Sequence, residues 1–347
     1  MEEAVFGQLP DGTPIHRYTL SNGKGLLIRV LNLGGLIQEW HTLGSDGQTT
    51  DIALGLPTLE DYLAGHPFFG VITGRVAGRI SGGQISLDGK NFQLEVNQPP
   101  NHLHGGSQAL DKRIWEGSPF RDDQGQEWLQ LTYLSPDGEE GYPGNLKLTV
   151  RYAVTSDNEV ILDYHAQSDV PTPVSLTNHT YFNLSGEGSG SIEDHILEIP
   201  ASRYVPADAD MTLCGQTAPV EEGGNDFRKP RCIGDALPHL HCHHGDNYVF
   251  DGGKQKEPRL VARVIDPRSG RIMEALSTEA CLQFYTGVNL DGSTTGKNGQ
   301  SHLPHHGFCL ECQGYPDGVS HPEIDDIVIR PDQPYRQRTI YRFPDPR

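Results

Sequence analysis

Long hydrophobic runs are missing from this chain. In its 347 residues no apolar stretch approaches the roughly 20 that span a bilayer, which excludes a helical membrane protein. The opening segment, MEEAVFGQLPDG, has neither a basic n-region nor an apolar h-region, so the sequence predicts no secretory signal and a cytoplasmic protein. Basic residues are scarce as well: 27 Lys and Arg stand against 46 Asp and Glu, a formal net charge of −19. A field of that sign repels nucleic acid and anionic membranes and does little to hold a phosphorylated substrate. Neutral ligands are indifferent to it. Six cysteines (Cys214, Cys232, Cys242, Cys281, Cys309 and Cys312) are too few and scattered for a disulfide framework and read as reduced thiols. With only 3 Met but 41 Gly and 25 Pro, the composition predicts many turns and few long helices.

What is present is alternation. In NLKLTVRYAV, Leu146, Leu148, Val150, Tyr152 and Val154 fall on one face of a strand; after TSDN the pattern resumes with Val160, Leu162, Tyr164 and Ala166. That is an antiparallel hairpin with one buried face. A second runs from Ile85 and Leu87 through Asp88-Gly89, a pair suited to a primed turn, to Phe92, Leu94 and Val96. A third reads from RLVARVI to RIMEALS across DPRSG. The helical signal is short: TLEDYLAG predicts a turn or two capped by Thr58. Neither a repeat nor a linker marks a boundary. The expectation is an all-β protein, one large antiparallel sandwich or barrel over residues 1–347, with GEGSGS (186–191) and DGSTTGKNGQ (291–300) as mobile surface loops.

Common chemical signatures fail. GEGSG lacks dinucleotide-site spacing, and there is no phosphate-binding P-loop, no G-x-S-x-G elbow and no H-E-x-x-H. Cys309 and Cys312 form C-x-x-C, but on a strand residues three apart face opposite ways, while Cys309 and Glu311 share a face. HLHCHH (239–244) is rich in ligand types and reads more simply as a solvated loop. More telling is SLTNHTYFNL, which gathers His179, Asn178, Asn183, Tyr181 and Phe182. His102 and His104 in NHLHGG would share one strand face and are not separable by periodicity. Glu311 sits among apolar neighbours, where an unused, unpaired carboxylate carries a large desolvation cost.

Together GRVAGRI, NHLHGG, DGEEGYPGNL, TNHTYFNLSG, GDNYVF, LQFYTGVNLDG and GFCLECQGYPDGVSHPEI, in this order, resemble the successive blocks of the aldose 1-epimerases, the galactose mutarotases. The resemblance covers nearly the whole chain. It implies a galactose mutarotase-like β-sandwich that interconverts the α and β anomers of a free aldohexose, without metal or organic cofactor, as a monomer or homodimer. Carried over motif by motif, it implies Glu311 as catalytic base and His179 as catalytic acid. Arg79, His104, Asp246 and Gln283 become contacts to the sugar. Tyr181 or Phe182 could stack on its apolar face, and Asn178 and Asn183 could hold the acid or the sugar. Gly78 stands where relatives often have asparagine, which implies one lost hydrogen bond that Gly78→Asn would restore if the backbone φ is negative. The rivals are a non-catalytic sugar sensor on the same fold, a hexose-6-phosphate 1-epimerase, which wants a basic pocket, and a glycosidase, which wants a carboxylate pair.

Overall fold

The computed structural model describes residues 1–240 and 245–344, with the side chains of 222 and 223 left aside. Strands dominate, and the described α-helices are short: Leu59–Ala64, Val220–Gly223 and Ile233–Ala236. The first is capped as its sequence predicts, Thr58 Oγ1 accepting from the Asp61 N–H at 3.2 Å.

The largest sheet has nine strands and is built around the hairpin Leu146–Val154 and Glu159–Ser168. Leu146 pairs with Ser168 and Val154 with Val160, so every predicted inward residue of this hairpin enters one core. The third predicted hairpin, Arg259–Ile265 with Ile272–Ser277, lies in the same sheet with a bulge between Leu260 and Ala262. The second, Gln84–Leu87 with Lys90–Gln93, stands alone; it turns on Asp88 at φ 49° and Gly89 at φ 78°, the left-handed pair a primed turn requires. Its predicted pattern overshoots, since Val96 lies beyond the strand and is exposed.

Two five-stranded antiparallel sheets complete the layers. One spans residues 2–51; the other includes Arg203–Val205, Asp246–Val249, Cys281–Tyr285 and Cys309–Gln313. The main apolar cluster draws on all three sheets, from Tyr18 to Phe343, with Trp40, Tyr152, Phe182 and Phe284 wholly enclosed. Burying faces of sheets against one another in this way is what makes a sandwich.

The expected loose loops 186–191 and 291–300 are instead tied to each other. Glu187 accepts from the Lys297 N–H at 2.9 Å, and its carbonyl accepts from Asn298 Nδ2 at 2.6 Å. Lys297 Nζ then reaches Asp51 at 2.7 Å. Glycine and serine content marked these segments as mobile, but one buried carboxylate at their junction outweighs composition.

Candidate active site

Strand pairing sets the first wall. Gln283 lies directly across from Glu311, and Asn247 directly across from Gln283, giving a row of polar side chains over three strands. Along the strand Cys309–Gln313, alternation sends Cys309, Glu311 and Gln313 one way and Leu310 and Cys312 the other, into the main core. The two thiols therefore point apart.

The histidine arrives on SLTNHTYFNL. Thr177 and Asn178 pair with Thr73 and Ile72; His179 then donates its N–H to Val71 O at 2.9 Å and accepts from the Gly70 N–H at 3.0 Å. So clamped, its ring stands between two groups of the glutamate strand. His179 Nε2 is 3.6 Å from Glu311 Oε1, and Nδ1 is 3.5 Å from Cys309 Sγ. Cys309 and Glu311 do share a face, and His179 is what they face.

His104 comes from another direction. The short strand His102–Leu103 ends there, and His104 turns away at φ 51°. That turn separates the two histidines that periodicity could not. His102 is enclosed, with Nε2 2.7 Å from Tyr142 Oη and Nδ1 2.6 Å from Glu95 O, and serves the fold. The His104 ring instead meets His179 edge-on at 5.3 Å. Gly78 holds it by donating its N–H to His104 Nδ1 at 3.1 Å and accepting the His104 N–H at 2.9 Å. Next in sequence, Arg79 donates Nε–H to Gln98 Oε1 at 2.7 Å.

Burial governs the charges. It pushes the Glu311 carboxyl up to about 8, with Arg79 opposing, and draws the His179 imidazole down to about 4. His104 is held well below the usual histidine range by the same desolvation, then by His179 and Arg79. Between those limits the Glu311–His179 pair holds one proton. Sequence reasoning expected carboxylate and imidazolium; burial favours both neutral forms.

Other expectations change place. Tyr181 lies 5.0 Å from His179, packed against Phe69 and Tyr285, and backs the imidazole. Phe182 faces the core against Trp40 and Tyr341, too far inside to stack on a ligand. Asn178 donates to Gly70 O at 2.7 Å, and Asn183 to Gly190 O and His306 O at 2.8 and 3.0 Å; both amides brace backbone. Asp246 opens its strand opposite Phe284, while its neighbour Asn247 holds the register position in the Glu311 row.

Two amides were missed. Asn247 and Gln313 are fully buried, and among the described residues Asn247 Oδ1 and both polar atoms of the Gln313 amide have no partner. Glu311 Oε2 has none either. Gln313 was legible as the residue two beyond Glu311 on the same strand face; Asn247 required the register.

Gly78 overturns the substitution argument. Its φ is +79°, and a Cβ there would stand 2.5 Å from Pro316 Cγ and 3.4 Å from Gln313 Nε2. Glycine is required by the backbone and by the proline ring.

The model of the aldose 1-epimerase family matches residues 16–342. The chain belongs to the aldose 1-epimerase family. The galactose mutarotase of Homo sapiens is 40% identical over 342 residues, covering 98% of this chain and 97% of that protein. The aldose 1-epimerase of Escherichia coli K12 is 32% identical over 340 residues, covering 96% of each. Among solved structures, the galactose 1-epimerase of Lactobacillus acidophilus superposes with a TM-score of 0.85 at 28% identity, over 99% of this chain and 98% of that one. The sandwich and the isomerase class expected from sequence therefore stand.

At the candidate site of this aldose epimerase the metal question turns on one nitrogen. One ligand atom each from His104, His179 and Glu311 lies within 4.8 Å of the others, a set able to surround a divalent cation. His104 Nδ1, however, accepts the Gly78 N–H, so the neutral ring carries its proton on Nε2. That nitrogen is built to donate a hydrogen bond, not a lone pair. Of HLHCHH, residues 241–244 lie outside the described residues. A cavity of about 830 Å³ opens elsewhere, lined by Lys254, Glu279, Asp325, Tyr335 and Gln337 among others. Two of its carboxylates are already engaged, Glu279 by Lys254 Nζ at 2.7 Å and Tyr335 Oη at 3.1 Å, and Asp325 Oδ2 by the Tyr315 N–H at 3.0 Å.

Proposed function

We propose that this chain interconverts the α and β anomers of free aldohexoses, galactose and glucose foremost, with Glu311 and His179 as the proton-transfer pair. The observation that carries the reading is a buried carboxyl 3.6 Å from a buried imidazole, with Glu311 Oε2 left without a partner among the described residues. Buried polar groups are ordinarily satisfied. A neutral polyol supplies both donors and acceptors, and matches a site whose nearby amides lack them.

Anomer exchange needs the C1 hydroxyl proton removed while the ring oxygen gains one. A hydroxyl donating to Glu311 favours its carboxylate, and a ring oxygen accepting from His179 favours the imidazolium. Substrate arrival thus moves the shared proton into the arrangement the reaction uses. Glu311 takes the C1 hydroxyl proton, His179 protonates O5, and the C1–O5 bond opens to the aldehyde. Rotation about C1–C2 presents the other carbonyl face, and the same two groups, reversed, close the ring. His104 Nε2–H and Arg79 serve as donors to sugar oxygens, and Gln283 and Asp246 take further hydroxyls.

A sensor on the same fold has no need of an acid–base pair buried at this cost. The charge of −19 does not favour a phosphorylated sugar. Free thiols at five described cysteines support a cytoplasmic setting, and no described helix is long and apolar enough to cross a membrane. Polarimetry of freshly dissolved α-D-galactose and α-D-glucose is the test. Acceleration well beyond the buffer rate is expected, and an unchanged approach to equilibrium with folded protein would refute the reading.

A further inference from the structure

Phe68 is a bulky residue held at φ +62°, in the left-handed region. For such a side chain this is a genuine outlier, and it persists only where its surroundings fix it. The surroundings here are explicit. The Phe68 N–H donates to His66 O at 2.9 Å and the Phe69 N–H to His66 Nδ1 at 3.0 Å. Gly70 is held by Asn178 and by the backbone of His179. Phe69 anchors the turn, its buried ring packed on Tyr181 at 5.2 Å and His302 at 4.9 Å.

The adjacent ring is used differently. Phe68 is only half-buried, and it meets the rings of both site histidines, His104 at 4.7 Å and His179 at 5.8 Å. Tyr181 is enclosed behind His179 and Phe182 is in the core, so neither offers an open aromatic face. We infer that Phe68 is a substrate-contacting residue, the apolar platform against which the C–H face of the aldohexose ring packs while His104, Gln283 and Gln313 take its hydroxyls. This deepens the proposed function and rests on it. A contact made equally in ground and transition states sets KM more than kcat.

The test is polarimetric kinetics on Phe68→Ala, Phe68→Gly and Phe68→Tyr, each with its melting temperature. Loss of one aromatic contact should raise KM for galactose and glucose roughly tenfold with kcat within about threefold, while Phe68→Tyr stays near wild type. Phe68→Gly should show the same rise in KM yet melt no lower than Phe68→Ala, because glycine adopts this φ freely. Wild-type KM in folded Phe68→Ala and Phe68→Gly would overturn the inference. So would a KM that moves only with melting temperature, which marks a packing role. If the wild-type protein fails to accelerate mutarotation, the functional reading falls, and calorimetric galactose affinity in the same variants decides whether the ring contacts sugar.

Discussion

Among the described residues two buried histidine–carboxylate pairs occur, and they are built differently. His302 Nε2 lies 3.2 Å from Glu187 Oε1, with side chains 2% and 4% exposed; His179 Nε2 lies 3.6 Å from Glu311 Oε1, at 5% and 3%. Residue types and burial are the same. The difference is in what surrounds the heteroatoms. Glu187 Oε1 also accepts from the Lys297 N–H at 2.9 Å, and His302 Nδ1 lies 3.1 Å from Thr294 Oγ1, so this pair is knitted into the two loops it joins. Among the described residues Glu311 keeps an oxygen without a partner, and its imidazole has only a thiol at the other nitrogen. A saturated pair staples a fold. An unsaturated one stores the desolvation cost that a substrate relieves.

The widest split between the pairs should come from amide substitutions. Glu311→Gln is expected to lower kcat by about 10²–10⁴-fold, since an amide cannot accept the C1 proton. Stability should move the other way. The Glu311 carboxyl sits above its ordinary 4.5, at about 8, so the folded state keeps a proton that the unfolded chain releases, and wild-type stability falls as pH rises through that window. The variant lacks this loss, so its melting temperature should gain on wild type from pH 4.5 to about 8. Glu187→Gln should destabilise at neutral pH and leave kcat nearly intact. Glu311→Gln with wild-type kcat, or Glu187→Gln that is inactive but fully stable, would erase the distinction.

Next comes the imidazole. His179→Asn should cost kcat nearly as much as the carboxyl change, and His104→Ala less, because the role proposed for His104 is only to hydrogen-bond developing charge. The wild-type rate should follow a bell bounded by the depressed His179 near 4 and the raised Glu311 near 8, the range in which the pair holds one proton. Below it both groups are protonated and no base remains; above it both are deprotonated and no acid remains. A rate flat from pH 3 to pH 9 would contradict a shared-proton pair.

Much of this is legible in the sequence. Leu146 through Ala166 alternate so strictly that a one-residue slip would expose the whole face, and register follows. The opposed thiols at Cys309 and Cys312 followed from the same period of two. Tertiary register was not legible. Asn247 joined Gln283 and Glu311 only once three strands separated in sequence had aligned. Phe182 and Tyr181, adjacent in sequence, parted to the core and the site because an extended chain alternates its side chains, but which went where depended on the walls around them. Phe68 carried no sequence signal, since nothing in HPFFG tells which of two phenylalanines takes the left-handed φ.

A smaller effect is expected at Gly78. Asparagine tolerates left-handed φ better than most residues, so the strain at +79° is the lesser of its two difficulties. The contact 2.5 Å from Pro316 Cγ is the obstacle, because a proline ring cannot swing aside as a flexible chain end does. Shifting this segment disturbs the two hydrogen bonds that hold His104. Gly78→Asn should therefore lower kcat/KM by about tenfold, through misplaced donors worth about 1 kcal/mol each. A variant with improved KM would show that the proline yields.

The smallest effect should be none. Two histidines and a carboxylate within 4.8 Å look like a metal site, and only the His104 tautomer speaks against it. With Nδ1 accepting the Gly78 N–H, a cation at Nε2 would require that proton to leave and the ring to forfeit the backbone bond. A sugar oxygen asks for no such exchange, since it accepts Nε2–H as it stands. Prolonged dialysis against a strong chelator should thus leave mutarotation unchanged, and elemental analysis should find no stoichiometric zinc. Activity lost on chelation and restored by zinc would mean that the His104 ring is reversed in the working enzyme. The site would then resemble the saturated Glu187–His302 pair, with an ion in place of the loop groups.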